Sequence, residues 1–120
     1  MPVQSITASE FSDIVSVDSI GKYVVIDVRT PEEFAEGNVE SSHNLPVAEL
    51  ADALAKSEDE FKDTYGFNLP APNSTTMLVV YCRSGNRVRR AEGILAQAGY
   101  IDNLLAYYPG WLEYSTIVAS

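Results

Sequence analysis

Two short apolar runs, each followed by signals for a helix, most constrain how this chain can fold. Residues 23–28 are rich in β-branched side chains, and residues 77–80 form a second apolar run, which predicts a strand over residues 77–82 that ends at Cys82. Continuous runs of this kind are typical of strands buried on both faces, as in parallel sheets. Residues 30–33 then supply a helix cap with a first-turn proline, and residues 87–98 show helical periodicity. This alternation predicts an α/β fold with a mostly parallel sheet.

Weaker patterns predict the remaining elements. The additional helices are expected over residues 8–17, between Thr30 and Gly37, over 47–56 and from 109 onward, and the additional strands over 43–45 and 103–107. Residues 57–76 lack a regular pattern and are interpreted as a helix extension, a hydrophobic plug and a loop. The plug consists of Phe61, Tyr65, Phe67 and Leu69.

Length and charge limit the classes of function. The 120 residues are 46% hydrophobic, which suits one domain over residues 1–120 with its own core, and we expect a monomer. A net charge of −9 argues against nucleic-acid binding and against anionic membranes. No apolar run approaches the roughly 20 residues that cross a bilayer, and residues 1–7 lack the features of a signal peptide.

Cys82 is the only cysteine, and it bears on both compartment and mechanism. A chain with one cysteine forms no internal disulfide, which fits a reducing compartment. We expect the cytoplasm, or mitochondria if a targeting segment has been trimmed. With no resolving cysteine, any group that Cys82 acquires must leave to an external acceptor. A single histidine, His43, offers no ligand set for zinc.

The position of Cys82 suggests a nucleophile. It lies where a buried strand turns into a helix, so backbone N–H groups and a helix N-terminus converge on it and favour an anion. We expect this environment to lower the pKa of the thiol. Such a cysteine suits attack on an anionic substrate, or carriage of a negatively charged group.

Half of the eight basic residues lie within eight positions of Cys82. They are Arg83, Arg87, Arg89 and Arg90, whereas residues 1–80 hold fourteen of the 17 acidic residues. Arg83 and Arg87, inside the loop, are expected to bind an anion or to brace the loop. For Arg89 and Arg90 a solvated surface position is the plainer interpretation.

Four motifs, in order, resemble those of the rhodanese family. They are Asp-Val-Arg at 27–29 with Pro-Glu-Glu-Phe at 31–34, Gly-Asn-Val-Glu-Ser-Ser-His-Asn-Leu-Pro at 37–46, Cys-Arg-Ser-Gly-Asn-Arg at 82–87 and Tyr-Pro-Gly-Trp at 108–111. The resemblance covers about residues 5–118. Residues 58–70 are similar to the corresponding part of the slightly longer single-domain thiosulfate sulfurtransferases.

This resemblance implies a three-layer α/β fold, with a small, mostly parallel sheet of about five strands and helices on both faces. It also implies sulfur transfer, without a metal or organic cofactor, from an anionic donor (thiosulfate or a persulfide) to cyanide, a thiol or a protein acceptor. Cys82 would carry the sulfur as a persulfide. The implied substrate-binding residues are Arg83, Ser84, Gly85, Asn86 and Arg87. Asp27, Arg29 and Trp111 are expected to give structural support near the site, the first two as an ion pair.

Three departures from the family pattern concern packing and bracing rather than the nucleophile. Asn38 stands in place of a usual histidine, Ser42 in place of alanine, and Val88 in place of a common serine.

Other functions stay open at this point. One is a non-catalytic binding module, or a sulfur relay to a protein. Another is a cysteine phosphatase or arsenate reductase, but those loops have Cys-x5-Arg spacing. Here the spacing from Cys82 to Arg87 is Cys-x4-Arg, and the smaller ring of N–H groups suits one sulfur atom better than a phosphate.

Overall fold

A five-stranded parallel sheet forms the centre of the molecule. The computed structural model describes residues 4–15, 22–39 and 41–119. The strands are β1 (Gln4–Ser5), β2 (Tyr23–Asp27), β3 (His43–Asn44), β4 (Met77–Tyr81) and β5 (Leu104–Tyr107). Their order across the sheet is β1-β5-β4-β2-β3, and every pairing is parallel. The β4 strand therefore lies in the middle, where its side chains Leu78 to Tyr81 are fully buried.

Helices cover both faces of the sheet, as predicted. They are α1 (Ala8–Ile14), α2 (Pro31–Glu36), α3 (Val47–Leu54), α4 (Glu58–Tyr65), α5 (Asn86–Gln97) and α6 (Gly110–Ala119). One core joins α3, α4 and α5 to the sheet, and Leu50, Phe61 and Leu95 are among its members. A second core lies on the opposite face, where Phe11 of α1 stacks on Tyr107. The three layers confirm the predicted fold class.

The strands end together at one edge, which positions the chemistry-bearing loops. Asp27 pairs with Tyr81 and with Asn44, so β2, β3 and β4 end side by side. The N–H of Val28 then donates to the carbonyl of Tyr81 at 3.0 Å. Ligands of open parallel sheets bind outside these carboxyl ends. Cys82 is the first residue after β4 at this edge.

The structure corrects two interpretations of the sequence. Residues 58–65 form a separate helix, α4, rather than an extension of α3. Ser57 and Glu60 make a reciprocal capping box that starts a new helix. The two-residue strand β1 has no counterpart among the predicted strands, because it is too short to show an alternating pattern and is defined by its pairing with β5.

Smaller differences concern element ends. The strand predicted over 77–82 ends at Tyr81, and the helix predicted from 87 begins at Asn86. The last two residues of the helix predicted over 8–17 lie outside the described residues. Within the described ranges, no helix is long and apolar enough to cross a membrane.

Candidate active site

The Cys82 thiol lies inside a tight loop at the carboxyl end of the central strand. Its side chain is 1% exposed and joins the core on the α5 face. The sulfur accepts a hydrogen bond from the backbone N–H of Gly85, with N and Sγ 3.0 Å apart. The loop thus folds back over the sulfur, and one of its amides already points at it.

Gly85 makes this close loop possible. It is the N-cap of α5, and its φ of 104° lies in the left-handed region that favours glycine. A Cβ at this position would also lie 3.1 Å from the carbonyl oxygen of Tyr108. Because glycine has no side chain to cap α5, the first-turn N–H groups of this twelve-residue helix remain free of a side-chain cap, beside the sulfur. This arrangement stabilises negative charge.

The start of α6 holds the other side of the loop. The N–H of Trp111 donates to the carbonyl of Cys82 at 2.8 Å, and that of Leu112 donates to the carbonyl of Arg83 at 3.0 Å. Gly110 has a φ of 66°, and a Cβ there would lie 2.2 Å from the Cys82 carbonyl oxygen. Backbone contacts from α6 therefore fix where Cys82 sits.

Arg87 braces the last position of the loop. Its guanidinium makes a bidentate ion pair with the carboxylate of Glu33 on α2, in which Nη2 and Oε2 are 3.0 Å apart. Glu33 also accepts from the N–H of Thr30 in the capping box of α2. The hydrogen bond from Arg87 is the main cause that lowers the pKa of Glu33 to about 2. The pair links α2 to the cysteine loop.

A second ion pair, between Asp27 and Arg29, lies buried behind the loop. The side chains of Asp27 and Arg29 are 0% and 3% exposed, and Arg29 Nη2 lies 2.6 Å from Asp27 Oδ2. Arg29 also donates to the carbonyl of Gly37 at 2.7 Å. Its guanidinium carbon lies 5.4 Å from the centre of the Trp111 ring. Buried charges need such partners, and this pair ties β2 to α2 and α6.

A cavity of about 250 Å³ opens beside the loop. Its lining combines charged and apolar side chains from α2, the loop and α6. They are Arg29, Glu33, Glu36, Arg83, Trp111, Leu112 and Ser115. The cavity therefore borders both Arg83, the loop residue that follows Cys82, and Glu33, the partner of the last loop residue.

The structure brings the expected site residues together, and each takes a distinct position. Arg83, Ser84 and Asn86 are exposed at the surface of the loop, whereas Gly85 is buried. His43 lies apart from this group; its imidazole stacks on Phe67 at 4.2 Å, and burial against neighbouring groups lowers its pKa. Arg89 packs over the Tyr108 ring.

The residues that distinguish this chain from the family pattern have local partners. Asn38 donates to the carbonyl of Phe34 at the end of α2. Ser42 hydrogen-bonds the buried hydroxyl of Tyr81 at 2.9 Å. Val88 is fully buried in the core beside Cys82. All three residues are thus accommodated by local hydrogen bonds or by burial in the core.

Two acidic residues at the site were not identified from sequence. The sequence pattern assigns Glu33 only to the cap of α2 and assigns Glu36 no role. The available signal was their spacing of three on α2, which places both on one helix face. Their proximity to the cysteine loop depends on tertiary packing. In the described part of the chain, no three His, Cys, Asp or Glu side chains group as metal ligands would.

Comparison with known proteins agrees with this geometry. The model of the rhodanese-like domain family matches residues 7–116. A Schizosaccharomyces pombe protein, named provisionally as a mitochondrial thiosulfate sulfurtransferase, is 45% identical over 97 residues; the match covers 81% of this chain and 66% of that protein. The thiosulfate:glutathione sulfurtransferase of Saccharomyces cerevisiae is 33% identical over 112 residues, covering 90% of this chain and 76% of its own length.

A solved structure extends the likeness to the whole architecture. The human single-domain sulfurtransferase TSTD1 superposes with a TM-score of 0.80 and 26% identity, covering 97% of this chain and 96% of its own. The residues that the family model matches include the cysteine loop, the helix that follows it and both ion pairs, Arg87 with Glu33 and Asp27 with Arg29. The chain belongs to the rhodanese-like domain family.

Proposed function

We propose that this chain is a sulfurtransferase of the thiosulfate type, which moves one sulfane sulfur through a persulfide on Cys82. The observation that carries the proposal is the 3.0 Å hydrogen bond from the Gly85 amide to the Cys82 sulfur, at the N-terminus of α5. A site that directs a backbone N–H group at a sulfur, at the N-terminus of a helix, can hold the negative charge that a thiolate or a persulfide carries.

In the first half-reaction the Cys82 thiolate attacks the outer sulfur of thiosulfate. A bond forms between the two sulfurs, the bond from the outer sulfur to the sulfonate sulfur breaks, and its electron pair leaves with sulfite. The enzyme then holds Cys82 as a persulfide whose terminal sulfur is anionic. A persulfide donor would react in the same way, with a thiolate as the leaving group.

In the second half-reaction an external nucleophile attacks the terminal sulfur. Cyanide gives thiocyanate, and a thiolate gives a new persulfide; in both cases the electron pair of the broken S–S bond returns to Cys82 as thiolate. The name of the yeast relative supports glutathione as one such acceptor. A protein thiol would use the same chemistry.

The loop residues divide into two roles in this proposal. Amides over residues 83–87, including those of Ser84, Gly85 and Asn86, hold the terminal sulfur. Arg83 is exposed at the mouth and attracts the donor dianion. Arg87 braces the loop through Glu33.

Behind the loop, Asp27, Arg29 and Trp111 support its frame. The single cysteine favours a reducing compartment, either the cytoplasm or, as the name of the S. pombe relative suggests, mitochondria.

An intact mass spectrum tests the proposal directly. Thiosulfate should add about 32 Da to the protein, as expected for one sulfur in a covalent intermediate, and cyanide should remove it with release of thiocyanate. Cys82→Ser should gain nothing and yet give the same circular dichroism spectrum. A wild-type protein that gains no sulfur from thiosulfate would contradict the proposal and favour a binding module.

A further inference from the structure

The cavity beside the cysteine loop has a charge pattern that a simple dianion does not require. Its lining includes two carboxylates, Glu33 and Glu36, and two guanidinium groups, Arg29 and Arg83. A pocket built for thiosulfate alone would be expected to present cations only. The carboxylates that α2 contributes to the lining therefore suit a ligand that also carries a positive charge.

Two of these four charges are already neutralised inside the protein. Arg29 is paired with Asp27, and Glu33 is paired with Arg87. Among the residues that the structure describes, Glu36 and Arg83 have no ion-pair or side-chain hydrogen-bond partner, and both are exposed. The cavity thus offers one available anion from α2 and one available cation from the loop.

The rest of the lining suits a small organic ligand. Trp111 and Leu112 provide apolar surface, Leu112 being 50% exposed, and Ser115 adds a hydroxyl. The volume of about 250 Å³ is below the usual range for drug-sized ligands and fits a group the size of an amino acid. Arg83, which lines the cavity, directly follows Cys82 in the chain, so the cavity opens beside the loop that carries the sulfur.

We infer that this cavity binds the amino-acid end of a zwitterionic thiol acceptor, with Glu36 binding its ammonium group and Arg83 its carboxylate. The inference rests on the proposed function and assigns residues to its second half-reaction. The bound thiolate attacks the terminal sulfur of the Cys82 persulfide, takes that sulfur, and returns the electron pair to Cys82. In this two-step cycle Arg83 serves both substrates in turn, whereas Glu36 serves only the acceptor.

Glu36→Gln tests the two half-reactions separately, because Glu36 is assigned only to the acceptor. The substitution removes its charge and changes the side-chain volume little. It should raise the KM for glutathione about three- to tenfold, as expected for loss of one partly exposed charged contact. The KM for N-acetylated glutathione, which lacks the ammonium group, should not rise. The KM for thiosulfate should stay level or fall, since a negative charge near a dianion has been removed.

A matched variant and an inert ligand complete the test. Glu32→Gln lies on the same helix, is exposed and does not line the cavity, so it should leave the KM for glutathione unchanged. S-methylglutathione cannot accept sulfur, and its binding, followed by NMR titration, should weaken in Glu36→Gln by the same three- to tenfold factor.

Different failures point to different errors. If wild type and Glu36→Gln bind S-methylglutathione equally well and show the same KM for glutathione, the assignment of Glu36 is wrong. Thiocyanate formation by the same samples would show that the proposed sulfur transfer still stands. If wild type forms no thiocyanate, the proposed function fails, while the titration still decides whether the cavity binds this ligand.

Discussion

At the scale of single residues, the carboxylate of Glu33 joins α2 to the cysteine loop. It closes the capping box of α2 with Thr30 and pairs with the two terminal guanidinium nitrogens of Arg87, Nη1 and Nη2. The last position of the loop is therefore fixed by a residue 54 positions earlier in the chain. For Arg87 the sequence predicts either anion binding or bracing of the loop. The contact with Glu33 accounts for bracing of the loop.

Glu33→Gln should reveal this pair in the pH dependence of stability. Glutamine keeps the capping box but loses the charge, so the variant should be less stable at pH 7. The loss should be only about 1 kcal/mol, because the side chains of Arg87 and Glu33 are about a third exposed and solvent screens their charges. The pKa of Glu33 is about 2 in the folded protein, against an ordinary 4.5. The advantage of the wild type is therefore complete above pH 4.5 and disappears as the pH falls toward 2.

Urea unfolding of both proteins between pH 2 and pH 7 measures this difference. Comparing the two proteins cancels the other carboxylates, which titrate in both. A constant difference across that range would mean that the Glu33 charge does not contribute.

At the scale of elements, capping explains which helices the sequence predicted well. Thr7 with Glu10 and Thr30 with Glu33 have the spacing of a capping box, and both helices begin where that spacing places them. The same spacing occurs at Ser57 and Glu60, inside an irregular, acidic stretch that the prediction treats as an extension of the preceding helix. The signal for α4 was therefore local and available.

Other features had no local signal. The strand β1 consists of two exposed residues, and only its register with β5 defines it. The cavity beside the loop joins residues 29–36 with 83 and 111–115, so its composition follows from packing rather than from any one pattern. By contrast, the site of Cys82 was predictable, because a strand-to-helix junction fixes it locally.

Ser57→Ala tests whether the third capping box carries stability. The hydroxyl of Ser57 accepts from the N–H of Glu60, and its loss should cost about 1 kcal/mol in urea unfolding. Thr64→Ala is the matched control, because it removes an exposed hydroxyl from the same helix, where alanine is the better helix former. Equal unfolding free energies for the two variants would show that this cap is dispensable.

At the scale of the whole molecule, an acidic body surrounds a basic loop. The net charge is −9, yet four of the eight basic residues lie between Arg83 and Arg90. In the proposed function, a dianionic donor is repelled over long distances by the body and attracted over short distances by the loop. We assign most of that attraction to Arg83, because among the described residues it lines the cavity without an ion-pair partner.

Ionic strength should therefore change how much Arg83 contributes to capture of thiosulfate. Arg83→Ala should lower kcat/KM for thiosulfate about three- to tenfold at ~10 mM salt, and only about twofold at ~300 mM, because the Debye length falls from ~30 Å to less than ~8 Å. Arg90→Ala removes an exposed charge that does not line the cavity, and should give a smaller loss at both concentrations. Initial rates at saturating cyanide measure both variants. If the loss caused by Arg83→Ala were the same at low and high salt, Arg83 would act through a local structural contact and not through the field that draws the donor in.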